Sequence, residues 1–309
     1  MRVTPSTLRS GEWPSLADEL ELADTLYGSR GPALVASWLE GETARINDVE
    51  FARLFSDHIE LPGVQAEDYL HRPISTSSGN LLGGIRFYGR DVTRPFVEII
   101  AHSFDDLSRL RDCVSQEWSM FAPPHLRLRA RPGRLTGANF VLDESVYVAR
   151  YRDMGPPAPS VWLEPFDRVG DAEAIMDARY RALALDDPAL ARNVFPSTAA
   201  DLSGWHESGQ LRAIRTRDAV VGLLAVAPGE IGWIDGDEIN EEVIAVDHCG
   251  HGYAALAQAA WAADVAHDRS RFLIGTIDRL NTASRRTAEA AGRRRVLDGV
   301  FVALSDVSR

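Results

Sequence analysis

The sequence predicts an α/β protein with mixed sheets, built as two consecutive domains. Short apolar runs of strand length alternate with stretches carrying apolar residues at helical spacing, the pattern of helices laid against a sheet. Near the middle of the 309 residues, Met154-Gly155-Pro156-Pro157-Ala158-Pro159-Ser160 interrupts both periodicities. Closely spaced prolines cannot continue a helix or a ladder, and they stiffen the chain instead. Further on, the apolar run Val243-Ile244-Ala245-Val246 leads into Cys249-Gly250-His251-Gly252-Tyr253-Ala254 and a long helical stretch. The expected boundaries are therefore 1–154, a linker at 155–160, and 161–309. Each half, at about 150 residues, is long enough to bury its own core.

In the first half, Pro14-Ser15-Leu16 opens a helix to about Tyr27, and Pro32–Leu39 and Val49–His58 continue at helical spacing. Gly79–Gly89 and Pro95–His102 read as strands, and Asp105–Met120 as a helix capped by Ser103 or Asp105. Strands at Leu126–Ala130 and Val141–Tyr151 complete this half. The second half begins with a strand at Val161–Glu164 and a helix at Asp171–Leu185, and Ser197 or Thr198 caps a shorter helix through Glu207. Strands follow at Leu211–Thr216, Ala219–Val226 and Gly232–Val246, then the glycine loop and a helix from Tyr253 to about Ala266. Phe272–Ile277 is a strand ending at Asp278; Asn281 opens a helix, Gly292 stops it, and Val300–Leu304 is the last strand.

The loop at 249–254 concentrates the chemistry. Glycines two apart let the backbone approach another group closely. The helix behind them points its first N–H groups, and the positive end of its dipole, at one spot. That spot suits a pyrophosphate, although a tight strand-to-helix turn would use the same glycines.

The order strand, Gly-x-Gly-x-Ala, helix, strand, Asn-x-x-Ser, helix, Gly, strand resembles the C-terminal half of the GNAT family of acyl-CoA N-acyltransferases. Over 161–309 the full order, β-α-α-β-β-β-α-β-α-β, resembles the GNAT fold. The resemblance implies acetyl-CoA or a longer acyl-CoA as co-substrate. The family's cradle, Arg/Gln-x-x-Gly-x-Gly/Ala, maps onto Cys249, Gly252 and Ala254, with Gly250, His251 and Tyr253 in the same loop; Cys249 replaces the usual Arg or Gln. It further implies a pantetheine arm along Ile244, Ala245 and Val246, with Asn281 and Ser284 beside it. Asn281 reads equally well as a helix cap. Where many members carry a tyrosine acid, seven residues after that asparagine, this chain has Ala288. Asn80–Tyr151 repeats part of the order, but Ser103-Phe104-Asp105-Asp106 stands at the loop position, and carboxylates there would repel a pyrophosphate. Residues 1–154 are expected to be a degenerate GNAT-like copy in tandem with a complete one; an unrelated α+β domain is the alternative.

Composition narrows the partners. The net charge is −12, and all 33 basic residues are arginine. Such acidity argues against nucleic acid and favours a cationic or amine substrate. No apolar run nears the roughly 18 residues of a membrane span, and no basic-then-apolar leader opens the chain. A cytoplasmic protein without a membrane partner is expected, and a homodimer is compatible with the sequence. Cys113 and Cys249 fall in different halves, which suits a reducing compartment. No histidine or cysteine spacing marks a metal site.

Acyl transfer needs a held thioester, a polarised carbonyl, a neutral amine and a way out for the thiolate. By strand alternation Glu242 shares a face with Ile244 and Val246, while Glu241 takes the other. Glu242 is the expected general base, with Glu241 its substitute if the register is off by one; Asp235, Asp237 and Glu238 read as a solvated hairpin. The expected function is transfer of an acyl group to a small-molecule primary amine by direct attack, with a natural product or antibiotic as first choice. A mycothiol-synthase-like reaction and a non-catalytic acyl-CoA-binding module are the rivals.

Overall fold

The computed structural model describes residues 13–305; residues 1–12 of the expected first domain and 306–309 of the second lie outside the described residues. In chain order the elements are helices Ala17–Tyr27 (α1), Gly31–Ala44 (α2) and Val49–Ser56 (α3), strands Arg72–Thr76 (β1), Gly79–Phe87 (β2) and Pro95–His102 (β3), and helix Leu107–Glu117 (α4). Strands His125–Ala130 (β4), Phe140–Arg150 (β5) and Trp162–Pro165 (β6) follow, then helices Val169–Asp186 (α5), Pro188–Ala191 (α6) and Ala199–Glu207 (α7). The chain closes with strands Leu211–Arg215 (β7), Val220–Ile231 (β8) and Ile234–Ile244 (β9), helix Tyr253–Ala260 (α8), strand Phe272–Asp278 (β10), helix Thr282–Ala290 (α9) and strand Arg294–Ala303 (β11).

Contacts divide the chain into two units, one running to Asp143 and resuming at Leu297, the other from Glu144 to Val296. The division falls elsewhere than at the proline-rich stretch, and pairing explains why. β5 runs antiparallel to β10 from Glu144↔Asp278 to Arg150↔Phe272, and β11 runs antiparallel to β4 from Asp298↔Ala130 to Ala303↔His125. Each unit's sheet is thus completed by a strand from the other half of the sequence. Residues 155–160 are anchored at both ends within the second unit, where Met154 and Val161 are buried in one cluster.

The first unit's sheet has the order β1-β2-β3-β4-β11, parallel only between β3 and β4. Successive residues of β3 face opposite sides. Ile99 packs with Leu110 and Val114 of α4, and Ile100 with Trp13, Leu16 and Leu39. β1 was not expected from the sequence. Nor does Ser103 or Asp105 cap α4: Asp106 does, accepting from Ser108 N at 2.8 Å, while the Ser103 hydroxyl accepts from Asn80 N.

The second unit's sheet has the order β5-β10-β9-β8-β7-β6, parallel only between β9 and β10. α5 and α7 cover one face, with Ala172, Met176 and Leu202 against Ala213, Leu223, Ala225 and Val243. α8 covers the other, with Ala257 and Trp261 against Ile214, Val221, Leu224 and Leu273. The expected order holds, with α6 as an added turn begun by Asp187, whose side chain accepts from Leu190 N. α8 ends sooner than expected, passing into a single π-helical turn over Trp261–Val265. There Trp261 Nε1 donates to the Tyr151 hydroxyl, which donates to Asp237. Among the described residues no helix is long and apolar enough to cross a membrane.

A buried histidine in the first unit sets a pH dependence. His71 is 2% exposed; its Nδ1 donates to Glu42 O at 2.9 Å, and its Nε2 accepts from Arg86 Nη2 at 2.6 Å. With Nε2 committed as an acceptor, the ring is neutral. Burial, then the Arg86 charge, pushes the imidazole down to about 3, outweighing the hydrogen bond to Glu42 O. Unfolded, the same group binds a proton near its ordinary 6.5. The unfolded state therefore binds more protons as pH falls below that value, and stability is lost progressively until the folded group titrates. At about pH 5 the loss attributable to His71 is roughly 2 kcal/mol. Urea unfolding across this range should show it, and His71→Gln should flatten the slope; an equal slope in the variant would contradict the assignment.

Candidate functional site

The site is made by two strands that part. β9 is paired with β8 along its whole length, from Ile231↔Ile234 to Gly222↔Ile244. Its other edge meets β10 at only two positions, Leu273↔Asp237 and Ile274↔Glu238. A bulge accompanies the parting: Ala225 faces Glu241 and Val226 faces Ile239, so Asn240 is the extra residue. Bulges bend the strand that carries them and locally increase its twist. β10 cannot follow, because its far edge is fully paired with β5. The result is a fork and a cavity of 720 Å³, lined by Glu238–Ile244 of β9, Gly275–Ile277 of β10, the 248–254 loop and the start of α9.

The loop forms the mouth. β9 ends at Ile244, and Val246–His248 is a 3₁₀ turn. This shortens the expected pantetheine-binding stretch, since Ala245 N donates to Val221 O at 2.9 Å and Val246 is exposed in the turn. Gly250 and Gly252 have φ of +84° and +75°, and a Cβ at either would meet nothing within 4 Å. The glycines are thus required by left-handed backbone rather than by crowding. Gly252 caps α8 without a side-chain hydrogen bond, so no side chain takes up the first N–H groups of the helix, and Gly252, Tyr253 and Ala254 line the cavity. Cys249 is exposed, with its thiol directed at Ile244 O and Ala245 O at 3.7 and 3.6 Å, which fastens the loop to the end of β9. His251 lies over Tyr253 with ring centroids 5.5 Å apart, and Ala254 is buried.

Glu241 and Glu242 project to opposite faces of β9, as alternation requires. Glu241, 5% exposed, accepts from Ser197 N and Oγ, both at 2.9 Å, and from the Tyr180 hydroxyl at 3.1 Å. Burial pushes its carboxyl up, and those donors partly offset the effect. Glu242 turns toward α8, where Gln258 Nε2 donates to its two oxygens at 2.9 and 3.0 Å. Gln258 Oε1 in turn accepts from Arg293 Nε at 3.0 Å. Burial raises Glu242 as well, opposed by the charge of Arg293 and the amide of Gln258. Asp235, Asp237 and Glu238 do lie on the β8–β9 hairpin, but Asp237 and Glu238 are half-buried rather than solvated. Arg271 Nε and the Tyr151 hydroxyl bond Asp237 at 2.9 Å each, and Glu238 lines the cavity, its carboxyl raised by burial and then by Glu144.

Asn281 and Ser284 line the same cavity, and both readings of Asn281 survive, since its Oδ1 caps α9 by accepting from Ser284 N at 3.0 Å. Ala288 faces away, buried with Tyr147 and Ile277.

No protein-family model and no curated protein matches the chain. Its structural neighbours include GNAT-family acetyltransferases, a tandem GNAT protein among them. An acetyltransferase from the GNAT family of Colwellia psychrerythraea matches at a TM-score of 0.47 and 10% identity, covering 86% of this chain and 97% of that one. A GCN5-related N-acetyltransferase from Sphaerobacter thermophilus matches at 0.46 and 13%, covering 86% and 94%. A tandem GNAT protein from the clavulanic acid biosynthesis pathway matches at 0.39 and 11%, covering 85% and 98%.

Gln258, Arg293 and Tyr180 were not singled out from the sequence, and Ser197 only as a helix cap. Gln258 carried a signal: it is the one polar residue among Ala254, Ala257, Gln258 and Trp261, a helical face otherwise apolar. Arg293 did not, because Arg293-Arg294-Arg295 reads as a solvated charge run. The amide of Gln258 bridges the half-buried carboxylate of Glu242 to a buried guanidinium. Gln258→Leu, which keeps the volume, should destabilise the second unit by about 3 kcal/mol, since it strands two charged groups. Urea unfolding checks this, and a change within about 0.5 kcal/mol would show that the relay contributes little.

Proposed function

We propose that the chain is a cytosolic acyl-CoA N-acyltransferase whose second unit transfers acetyl, or a longer acyl group, to a primary amine of a small molecule. One observation carries the reading. A single cavity joins the uncapped start of α8 to the parted edges of β9 and β10, with the buried carboxylate of Glu241 and the half-buried ones of Glu238 and Glu242 on its walls. The first N–H groups of α8, with Gly250, His251, Gly252 and Tyr253, take the pyrophosphate of acyl-CoA. The pantetheine arm follows the open edge of β9 as far as Ile244, with Asn281 and Ser284 opposite, and the thioester comes to the fork.

The acceptor arrives on the side of Glu241, where Leu183, Leu190, Val194 and Phe195 also line the cavity. An ammonium must lose a proton before its nitrogen can attack, and Glu241 is the base that takes it, directly or through water. Attack on the carbonyl carbon then breaks the C–S bond, with the electron pair remaining on sulfur and the second proton of the nitrogen passing to water. Glu242 is assigned a different task from the one expected of it, holding Arg293 through Gln258.

The first unit is proposed as a degenerate copy. β3 and β4 pair in parallel at Phe96–Glu98 and His125–Arg127 only, and the 390 Å³ cavity beside their separated ends is lined by Pro14–Glu19. Ser15 Oγ accepts from His102 N at 2.8 Å, and buried Glu19 lies 3.6 Å from Arg129, so this fork is engaged by the chain itself.

The second reading, an acyl-CoA-binding module without catalysis, is favoured by one observation: both fork carboxylates are held in internal hydrogen bonds. Thiol release from acetyl-CoA with a panel of amines separates the two. Titration calorimetry should give one CoA per chain, and Gly252→Glu should abolish it by straining the loop and placing a carboxylate at the cradle. Glu241→Gln should lower kcat by about 10²–10⁴-fold. Protonation silences a base, so the acidic limb of kcat/KM should lie above an ordinary glutamate's 4.5, because burial raises Glu241. CoA binding without amine-dependent thiol release would favour the module, and no binding would sink both.

A further inference from the structure

Arg293 is 4% exposed, yet its Nη1 has no hydrogen-bond partner. A buried guanidinium with an idle donor is costly, and such groups usually have a use. Only its Nε is committed to Gln258, and the side chain lines the fork cavity. Its position there is specific. A Cβ on Gly275 would lie 3.0 Å from Nη1, and Gly275 is the first residue of β10 beyond the last pair with β9, Ile274↔Glu238. Nη1 therefore sits where the two strands separate, in space that any other residue at 275 would invade.

We propose that Arg293 is the thiolate-binding residue of the fork, its free Nη1 receiving the negative charge that collects on the sulfur of CoA as the C–S bond breaks. The proposal rests on the acyltransferase reading of this cavity. It supplies what the Ala288 position cannot, since that side chain is a methyl group buried against Tyr147 and Ile277. The role is electrostatic, because a guanidinium does not give up its proton at ordinary pH. The ammonium's first proton goes to Glu241 before attack; the amine nitrogen then bonds to the carbonyl carbon, the C–S pair goes to sulfur, and the second proton on nitrogen passes to water. The thiolate takes its own proton from water on leaving. Glu242, linked through Gln258, fixes the guanidinium and balances its charge when the site is empty. A preorganised cation at the developing anion stabilises the transition state without rearrangement.

CoA and desulfo-CoA differ only at the sulfur, so their comparison isolates this contact. The intact wild-type protein should prefer CoA, increasingly so as pH rises and the bound thiol ionises. The ultraviolet thiolate band of bound CoA should emerge at lower pH than that of free CoA. In Arg293→Gln the preference should fall by about tenfold, the equivalent of one unit in the thiol pKa, and the early thiolate band should vanish. Arg293→Lys, which keeps the charge, should retain part of both and so separates loss of charge from loss of fold. Equal binding of the two ligands to wild type, or an unchanged preference in Arg293→Gln, overturns the proposal and leaves the acyltransferase reading standing. If neither ligand binds the wild-type protein, that reading fails, and the proposal with it.

Discussion

The second unit depends on one constraint: β9 cannot stay paired with β10. β10 is held along its far edge by seven pairs with β5, and β9 along its far edge by the full length of β8. The bulge at Asn240 bends β9 between these fixed partners, so the shared edge opens after two pairs. Backbone polar groups left open in this way must find partners. A sheet that gives up ladder bonds in its middle, rather than at its edge, has made room for something to pair there. The glycine loop and the uncapped start of α8 lie at the mouth of the same opening.

The polar groups around the fork follow from it. Between fully paired strands, the faces of β9 would be covered by apolar side chains, as Val243 is by the α5 and α7 cluster. At the fork, water or ligand can reach inside, and charged groups become tolerable if they are held. Two separate arrangements hold them. Glu241 is fixed by Ser197 and Tyr180 on one face, and Glu242 by Gln258 and Arg293 on the other. Buried charges lose several kcal/mol of hydration each, which explains the number of hydrogen bonds spent on two adjacent residues. Their positions on opposite faces also keep them apart, with Glu241 against Tyr180 of α5 and Ser197, and Glu242 beneath Gln258 of α8.

Much of the fold was legible because it is local. β3 was placed at its observed ends by eight successive residues of strand character, and the start of α7 to within one residue, since of Ser197 and Thr198 it is Thr198 that caps it. The pairing partners were not legible. Nothing in Phe140–Arg150 says that it will pair with a strand more than a hundred residues later, so the division was placed at the prolines instead. β1 was missed because Arg72-Pro73-Ile74-Ser75-Thr76 has little apolar periodicity, and a proline suits only an edge strand. In the site, strand parity placed Glu241 and Glu242 on opposite faces, and the glycine spacing located the loop. Parity could not say which face carries Gln258. Nor could it show that Arg293, in a run of three arginines, is the one turned inward.

The most direct test of the account is a map of where CoA binds in the intact protein. Backbone amide chemical shifts, followed during titration with CoA, should move first at Gly250–Ala254, Ile244, Gly275 and Ser284. Residues Ser15, His102 and Asp106 should stay still. Shifts centred on those three, with the loop at 250–254 unmoved, would place the donor site in the other unit and contradict the account.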